Sequence, residues 1–233
     1  MAILMLAPLI VHSTFAAEPT LTPFKIVYEV KYSVAKGKMT LVLSDEESVG
    51  YNLDSEVVAE GLAKMVVSDP VSEHAAFVVT DNAVQATGYS LSDGTEKNEL
   101  GGRIEYDWDA SQASLYSKEE GDSVLPLAPG TMDSLVMQAA AALEVKLGKK
   151  EFSFLELEPG KKLRPHNYKY VDEETIKTKI GEIKTVKYSM NREGSSRTTF
   201  IWFSTEHDYV PIELQRVKEG KTIFTGKLLS LEQ

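Results

Sequence analysis

The feature that most limits this chain is a strict two-residue alternation that begins at Phe24. Phe24, Ile26, Tyr28, Val30, Tyr32 and Val34 share one parity, with Lys25, Glu29, Lys31 and Ser33 between them. Successive side chains of an extended strand point to opposite faces, so the pattern is a half-buried strand and does not suit a helix of period 3.6. Ala35, Lys36, Gly37 and Lys38 read as a turn, after which Met39, Leu41 and Leu43 alternate with Lys38, Thr40 and Ser44. The two runs form a hairpin. A third run sets Tyr51, Leu53, Ser55, Val57 and Ala59 inward and Asn52, Asp54, Glu56 and Glu60 outward, which extends the hairpin into a meander with one wet face.

Residues 61–67 break the period, and Leu62, Met65 and Val66 fit a short helix or turn ahead of Asp69 and Pro70. Strand patterns return over residues 73–80, 83–92, 100–108, 111–117 and 123–127. They resume over 151–157, 168–180, 182–190, 197–204, 210–217 and 222–231, divided by turn chemistry such as Asp81-Asn82 and Glu219-Gly220. One segment differs in kind. Thr131 follows Pro129 and Gly130 as a candidate N-cap, Asp133 falls in the first turn, and Leu135, Val136, Ala139, Ala140 and Leu143 keep helical spacing up to Gly148. Its alanine run is slim enough to lie close against a sheet.

Sheets of this size curl or close rather than stay flat. The expected fold is therefore mainly β: a strongly curved antiparallel sheet or incomplete β-barrel of about a dozen strands, with one principal helix packed against it. A two-sheet sandwich is the alternative. No Ser/Gly/Pro-rich linker or repeat divides the chain, so residues 18–233 read as a single β-rich domain.

Residues 2–11 form an apolar run of the length of a secretory signal core, followed by Ser13, Thr14, Phe15, Ala16 and Ala17. Residues 1–17 are thus expected to be a signal peptide, cleaved after Ala16 or Ala17, and the protein to be periplasmic. The basic segment that usually precedes such a core is missing, so either the true start lies upstream or the signal is atypical. Pro8 and the shortness of the run argue against a membrane span, and no later run approaches that length; the chain is not expected to cross a membrane.

Asp plus Glu number 35 against 25 Lys plus Arg, a net charge of −10, which speaks against a nucleic-acid partner. Residues 1–116 carry 17 acidic and 7 basic side chains and the remainder 18 of each, so the excess acid is N-terminal. With no cysteine there is no disulfide, thiol nucleophile, thiolate metal site or lipid-modified cysteine. Ser33 and Lys36 have the S-x-x-K spacing of penicillin-interacting serine enzymes, but that chemistry needs them one turn apart on a helix, and no K-T-G follows. No catalytic residue is assigned.

His74, His166 and His207 lack metal-pair spacing, and Glu206-His207-Asp208 reads more simply as a solvated turn, so no metal and no cofactor are expected. Asp172, Glu173 and Glu174 are expected in an exposed bulge or loop. Lys161, Lys162, Arg164 and His166, beside Pro159-Gly160 and Pro165, read as a basic loop that stays in water; contact with anionic headgroups is the functional alternative.

The candidate ligand-binding residues are aromatic. Tyr28, Tyr32, Tyr51, Tyr106 and Trp108 fall on the apolar faces. Each buried Tyr hydroxyl needs a partner, which suits a partly wet or ligand-filled concave face. Tyr also has high strand propensity, and a filled barrel core uses it without binding anything.

In order and spacing, the chain resembles the bacterial family catalogued as domain of unknown function 3108. The resemblance rests on Tyr28-Glu29-Val30, Gly37-x-Met39-Thr40-Leu41, Gly50-Tyr51, Gly61-Leu62, Pro129-Gly130-x-x-Asp133, Trp202-Phe203-Ser204 and Val210-Pro211-Ile212. It implies an exported envelope protein of Gram-negative bacteria with no established reaction, built on a plan similar to the periplasmic lipoprotein carriers. The first functional expectation is a non-catalytic binding module for an apolar or amphipathic envelope ligand: a lipid, an acyl chain or a hydrophobic protein segment. The alternative is a structural or interaction protein with a filled barrel and an envelope protein partner. A third is an envelope hydrolase whose site has no recognised motif.

Overall fold

In the computed structural model, which describes residues 20–46, 50–61, 64, 69–160 and 162–233, fifteen strands join edge to edge in one sheet. The N-terminal arm holds β1 (Phe24–Tyr32), β2 (Ala35–Glu46), β3 (Gly50–Glu60), β4 (Val71–Thr80), β5 (Ala83–Ser92), β6 (Gly102–Asp107), β7 (Gln112–Ser117) and β8 (Ser123–Pro126). After β9 (Thr131–Met132) and helix α1 (Val136–Lys146) comes the C-terminal arm. It runs through β10 (Glu151–Glu158), β11 (Lys162–Thr178), β12 (Gly181–Arg192), β13 (Arg197–Ser204), β14 (Pro211–Lys218) and β15 (Lys221–Glu232). Each arm is a meander, and the two are joined where β1 pairs antiparallel with β15.

This order puts β8 and β9 at opposite edges of the sheet, although only residues 127–130 separate them in the chain. Laid flat at about 4.8 Å per strand, the sheet would hold those edges roughly 65 Å apart. The connecting residues can span at most about 18 Å. The sheet must therefore curl until its edges approach, and register shifts at Val27/Tyr28, Ala76/Phe77, Tyr170/Asp172, Trp202/Phe203 and Arg216/Val217 supply local bend and twist. It stays open, since among the described residues no ladder joins β8 to β9 or β10. The curved, unclosed sheet is the expected architecture. Of its fifteen strands, fourteen answer to strand-patterned segments of the sequence, and the added one is two-residue β9, paired parallel to β10, which escapes any periodicity argument.

Helix α1 lies on the concave side against β4, β5 and β10. Eight of its eleven residues are buried, the mark of a helix enclosed on all sides rather than resting on a surface. It shares one core with Ile26, Leu53, Phe77 and Leu115 of the N-terminal arm and Tyr188 and Phe203 of the C-terminal arm. The cap differs from expectation. Thr131 belongs to β9, and it is Asp133 Oδ1 that accepts the backbone N–H groups of Leu135 and Val136, at 3.0 and 2.9 Å. Gly148, at φ +77°, ends the helix as expected.

Two further expectations shift. The first hairpin turns at Ser33 and Val34, with Ser33 at φ +55°, so the alternation runs past the covered part of the sheet; Val34 is 95% and Tyr32 56% exposed. The basic segment at 162–166 is strand, not loop: Arg164 and His166 lie in β11, opposite Glu156 and Phe154 of β10. Pro165 is tolerated there because the β12 ladder begins only at His166, so the proline nitrogen has no second strand to serve. Asp172, Glu173 and Glu174 lie at an exposed bulge, in agreement with the sequence. The signal segment 1–17 and most of the short helix or turn at 61–67 lie outside the described residues.

The two arms touch across the gap. A Cβ added to Gly102 of β6 would stand 2.6 Å from Pro159 Cβ in the β10–β11 turn and 2.7 Å from the Tyr116 carbonyl oxygen. Gly102→Ala is therefore expected to destabilise the fold by about 1–3 kcal/mol in chemical denaturation, whereas Gly88→Ala, with open space around it, shifts the midpoint far less. Equal midpoints for the two variants would mean that the turn does not pack on β6.

Candidate functional site

The inner face of the C-terminal arm changes character along its strands. β12 carries Tyr188, Met190 and Arg192 on one parity; β13 carries Phe203, Ile201, Thr199 and Arg197; β14 carries Ile212, Leu214 and Arg216. On β11 the series is Tyr168, His166, Arg164. Each row starts in the buried core and ends in a cation. Cross-strand pairing aligns the ends: His166 lies opposite Arg192, Met190 opposite Thr199, and Thr199 opposite Arg216. Glu156 and Glu158 of β10 and Ser134, Met137 and Gln138 at the start of α1 complete a cavity of about 350 Å³. Its apolar wall is Met137, Tyr168, Met190, Ile201 and Leu214.

The chain has twenty lysines and only five arginines, and four of those five line this cavity, whereas among the described residues no lysine does. The carboxylates are already engaged. Arg164 Nη2 donates to Glu158 Oε2 at 2.9 Å, and His166 Nε2 lies 2.6 Å from Glu156 Oε2. Among the described residues Arg192, Arg197 and Arg216 make no ion pair. Arg216 Nε donates to Thr199 Oγ1 at 3.1 Å, and its guanidinium stands 5.9 Å from the Phe224 ring centroid. Burial, and then the like charge of Arg197, press its pKa below the usual arginine range. His166 is buried, and its Nδ1 has no hydrogen-bond partner.

Next to this cavity, behind Ser134 and Glu156, lies an acid-lined recess of about 300 Å³ that includes Glu73, Glu99 and Glu119. Glu73 accepts hydrogen bonds from the hydroxyls of Tyr89 and Ser134, at 2.7 and 3.0 Å. Asp133, fully buried beside it, accepts a longer one from the Tyr106 hydroxyl at 3.4 Å. Burial lifts the Asp133 carboxyl to about 7, against the pull of the backbone N–H groups of Val136 and Leu135 and with a further push from Glu73.

The aromatic residues singled out in the sequence are not brought together around one space. Tyr28 is fully buried at the junction of the arms, its hydroxyl donating to the Pro211 carbonyl. Tyr51 is buried and stacks on Phe77 at 5.4 Å. Tyr106 stacks on Trp108 at 6.3 Å, and Trp108 Nε1 donates to the Ala86 carbonyl at 2.7 Å. Tyr32 lies beyond the covered sheet and is exposed. Except for Tyr32, each finds its partner within the protein, and none of the five lines the two cavities above. What the sequence reading missed were the arginines. Their signal was present: Arg192, Arg197 and Arg216 share the parity of the apolar residues in three successive strands.

Catalytic arrangements are weak by comparison. Asp54, His74 and Ser90 align across β3, β4 and β5, with His74 Nδ1 2.7 Å from Asp54 Oδ1. They stand half-exposed on the outer face, and no hydrogen bond joins His74 to Ser90. Among the described residues no three His, Asp or Glu converge on a metal position. In the 206–208 turn, Asp208 is held by Lys146 Nζ at 2.6 Å and by the Thr22 N–H at 3.1 Å. Among the described residues no helix is long and apolar enough to cross a membrane.

Residues 24–223 match the family model described as protein of unknown function, DUF3108. The chain belongs to the DUF3108 family. No curated protein matches it. The fold of this DUF3108 protein is similar to the crystal structure of a beta-barrel-like protein of domain of unknown function DUF1849 from Brucella abortus. That alignment has a TM-score of 0.60 at 10% identity and covers 91% of this chain and 98% of the other. A crystal structure of MucB aligns with a TM-score of 0.40 at 11% identity, over 90% of this chain and 52% of that one.

Because Asp133 binds its proton more tightly folded than unfolded, its contribution to stability is complete below about pH 4 and is lost as pH rises through about 7. Asp133→Asn keeps an acceptor for the helix N–H groups and removes the charge. The stability difference between the variant and the parent, from urea denaturation at a series of pH values, should move in favour of the variant between about pH 5 and pH 8. A difference that does not change with pH would contradict the buried, proton-holding carboxyl.

Proposed function

We propose that this DUF3108 protein is an exported, periplasmic, non-catalytic binding module that takes an amphipathic envelope ligand into the cavity at the end of the C-terminal arm. Export rests on the apolar run at residues 2–11 and the small residues up to Ala17. The observation that carries the binding reading is the pairing, in one cavity of about 350 Å³, of an apolar wall with convergent polar groups on rigid strands. The core beneath the helix does not serve. Its gap, between Leu41, Leu53 and Ala142, is about 20 Å³, room for roughly one water, so an acyl chain has no place there.

That filled core favours one competing reading, a structural or interaction protein of the envelope whose partner is another protein. The experiment that separates the two is native mass spectrometry of the processed protein, purified from a bacterial periplasm without detergent, followed by organic extraction. The binding reading predicts a discrete added mass that extracts as a lipid or other amphipathic molecule. A clean unliganded mass that also fails to take up added dodecyl-chain probes would overturn it in favour of the filled barrel and a protein partner.

A further inference from the structure

We infer that Arg192, Arg197 and Arg216 form a clamp for the oxyanion headgroup, phosphate or carboxylate, of the ligand, whose first carbons lie against Met190, Ile201 and Leu214. The inference rests on the binding reading above and names the chemistry of that same site.

Like charges on neighbouring strands of one sheet face repel, and they persist only where something compensates. Here the protein's own compensation falls short: Glu156 attracts the Arg216 guanidinium, but burial and the like charge of Arg197 each weigh more. Four arginines face two glutamates, of which Glu158 is paired with Arg164 and Glu156 lies against His166, so positive charge remains in excess. A surplus of positive charge in a partly enclosed cavity stands out in a chain whose net charge is −10. The choice of side chain matters as much as the charge. In a chain with four lysines for every arginine, the cations that line this cavity are, among the described residues, four arginines and His166. Arginine differs from lysine in its planar fork of donors, which meets a carboxylate or phosphate with two parallel hydrogen bonds, and in its weaker hydration, which lowers the cost of enclosure.

The placement suits an amphipathic molecule rather than a free ion. Along each strand the cation is followed inward by an apolar residue: Arg192 by Met190, Arg216 by Leu214, and Arg197, after Thr199, by Ile201. A headgroup held by the guanidinium groups would direct its chain onto that wall, toward Met137 of α1. His166 Nδ1, buried and unpartnered, adds a polar contact at the side of the clamp. The N-terminus of α1 takes no part, because Asp133 already accepts its first free N–H groups.

The test is calorimetric titration of the processed protein with four probes at low salt: dodecyl phosphate, dodecanoate, dodecyl maltoside and inorganic phosphate. The clamp predicts that one or both anionic amphiphiles bind about tenfold or more tightly than dodecyl maltoside, and their order tells phosphate from carboxylate. In the double variant Arg197→Gln, Arg216→Gln that preference is lost, with affinity for the anionic probe down about tenfold or more, while dodecyl maltoside binding is unchanged. The unliganded variant should melt no lower than the parent, since it loses repulsion, whereas arginines that held the fold together would lower the melting temperature. If the double variant proves unstable, Arg216→Lys alone, which keeps the charge and loses the fork, should still weaken the anionic probe.

Equal binding of anionic and neutral amphiphiles, unaffected by the variants, would overturn the clamp and leave the binding module standing. Arginine-dependent binding of inorganic phosphate without any dodecyl probe would keep the anion site and remove the amphipathic ligand. No binding of any probe would overturn both.

Discussion

Everything in this fold depends on the short tether between the two edges of the sheet. β8 and β9 are the outermost strands of a fifteen-stranded meander, and residues 127–130 hold them together. The sheet cannot be flat under that constraint, so it wraps. Helix α1, which follows β9 directly, is carried into the concavity and buried on nearly every side. The pairing of β1 with β15 closes the same circuit from the opposite direction, by joining the two ends of the described chain at the middle of the sheet.

A curled sheet that does not close leaves its inner rows unequally covered. Where α1 lies over them, the inward positions are Tyr28, Leu53, Phe77 and Phe203, and space is filled to about the size of a single water. Beyond the start of the helix the same rows continue without that cover, and the inward positions become Arg192, Arg197 and Arg216 on one arm and Glu73 on the other. The polar cavities are thus a consequence of a helix of eleven residues serving strands that run past it. The unshared surplus of arginine over carboxylate then decides which class of ligand the larger cavity suits.

Much of the architecture was legible in the sequence because a strand alternates over many residues. The run from Phe24 to Tyr32, the break at Pro129-Gly130 and the alanine-rich helix each carry a period or a stop that nothing else in the chain contradicts. The order of the arms was not legible, since which strands pair across long sequence distances leaves no local mark. The same distinction explains the site. Tyrosines drew notice as individual residues, and their hydroxyls turned out to meet the Pro211 carbonyl in one case and Asp133 in another, within the protein. The arginines are ordinary one by one. They become a feature only once the strand registers set His166 against Arg192 and Thr199 against Arg216.

The central claim is that three guanidinium groups from adjacent strands meet one anionic headgroup. Five arginines in the whole chain make it directly observable, because each Nε–H gives its own signal in a nitrogen-15 correlation spectrum. On titration with dodecyl phosphate, the signals of Arg192, Arg197 and Arg216 should shift together and saturate, with Arg103, exposed on the face of β6 opposite to the buried Ile104 and Tyr106, unmoved. If none of the three shifts, or if all five drift in parallel without saturation, the clamp does not exist.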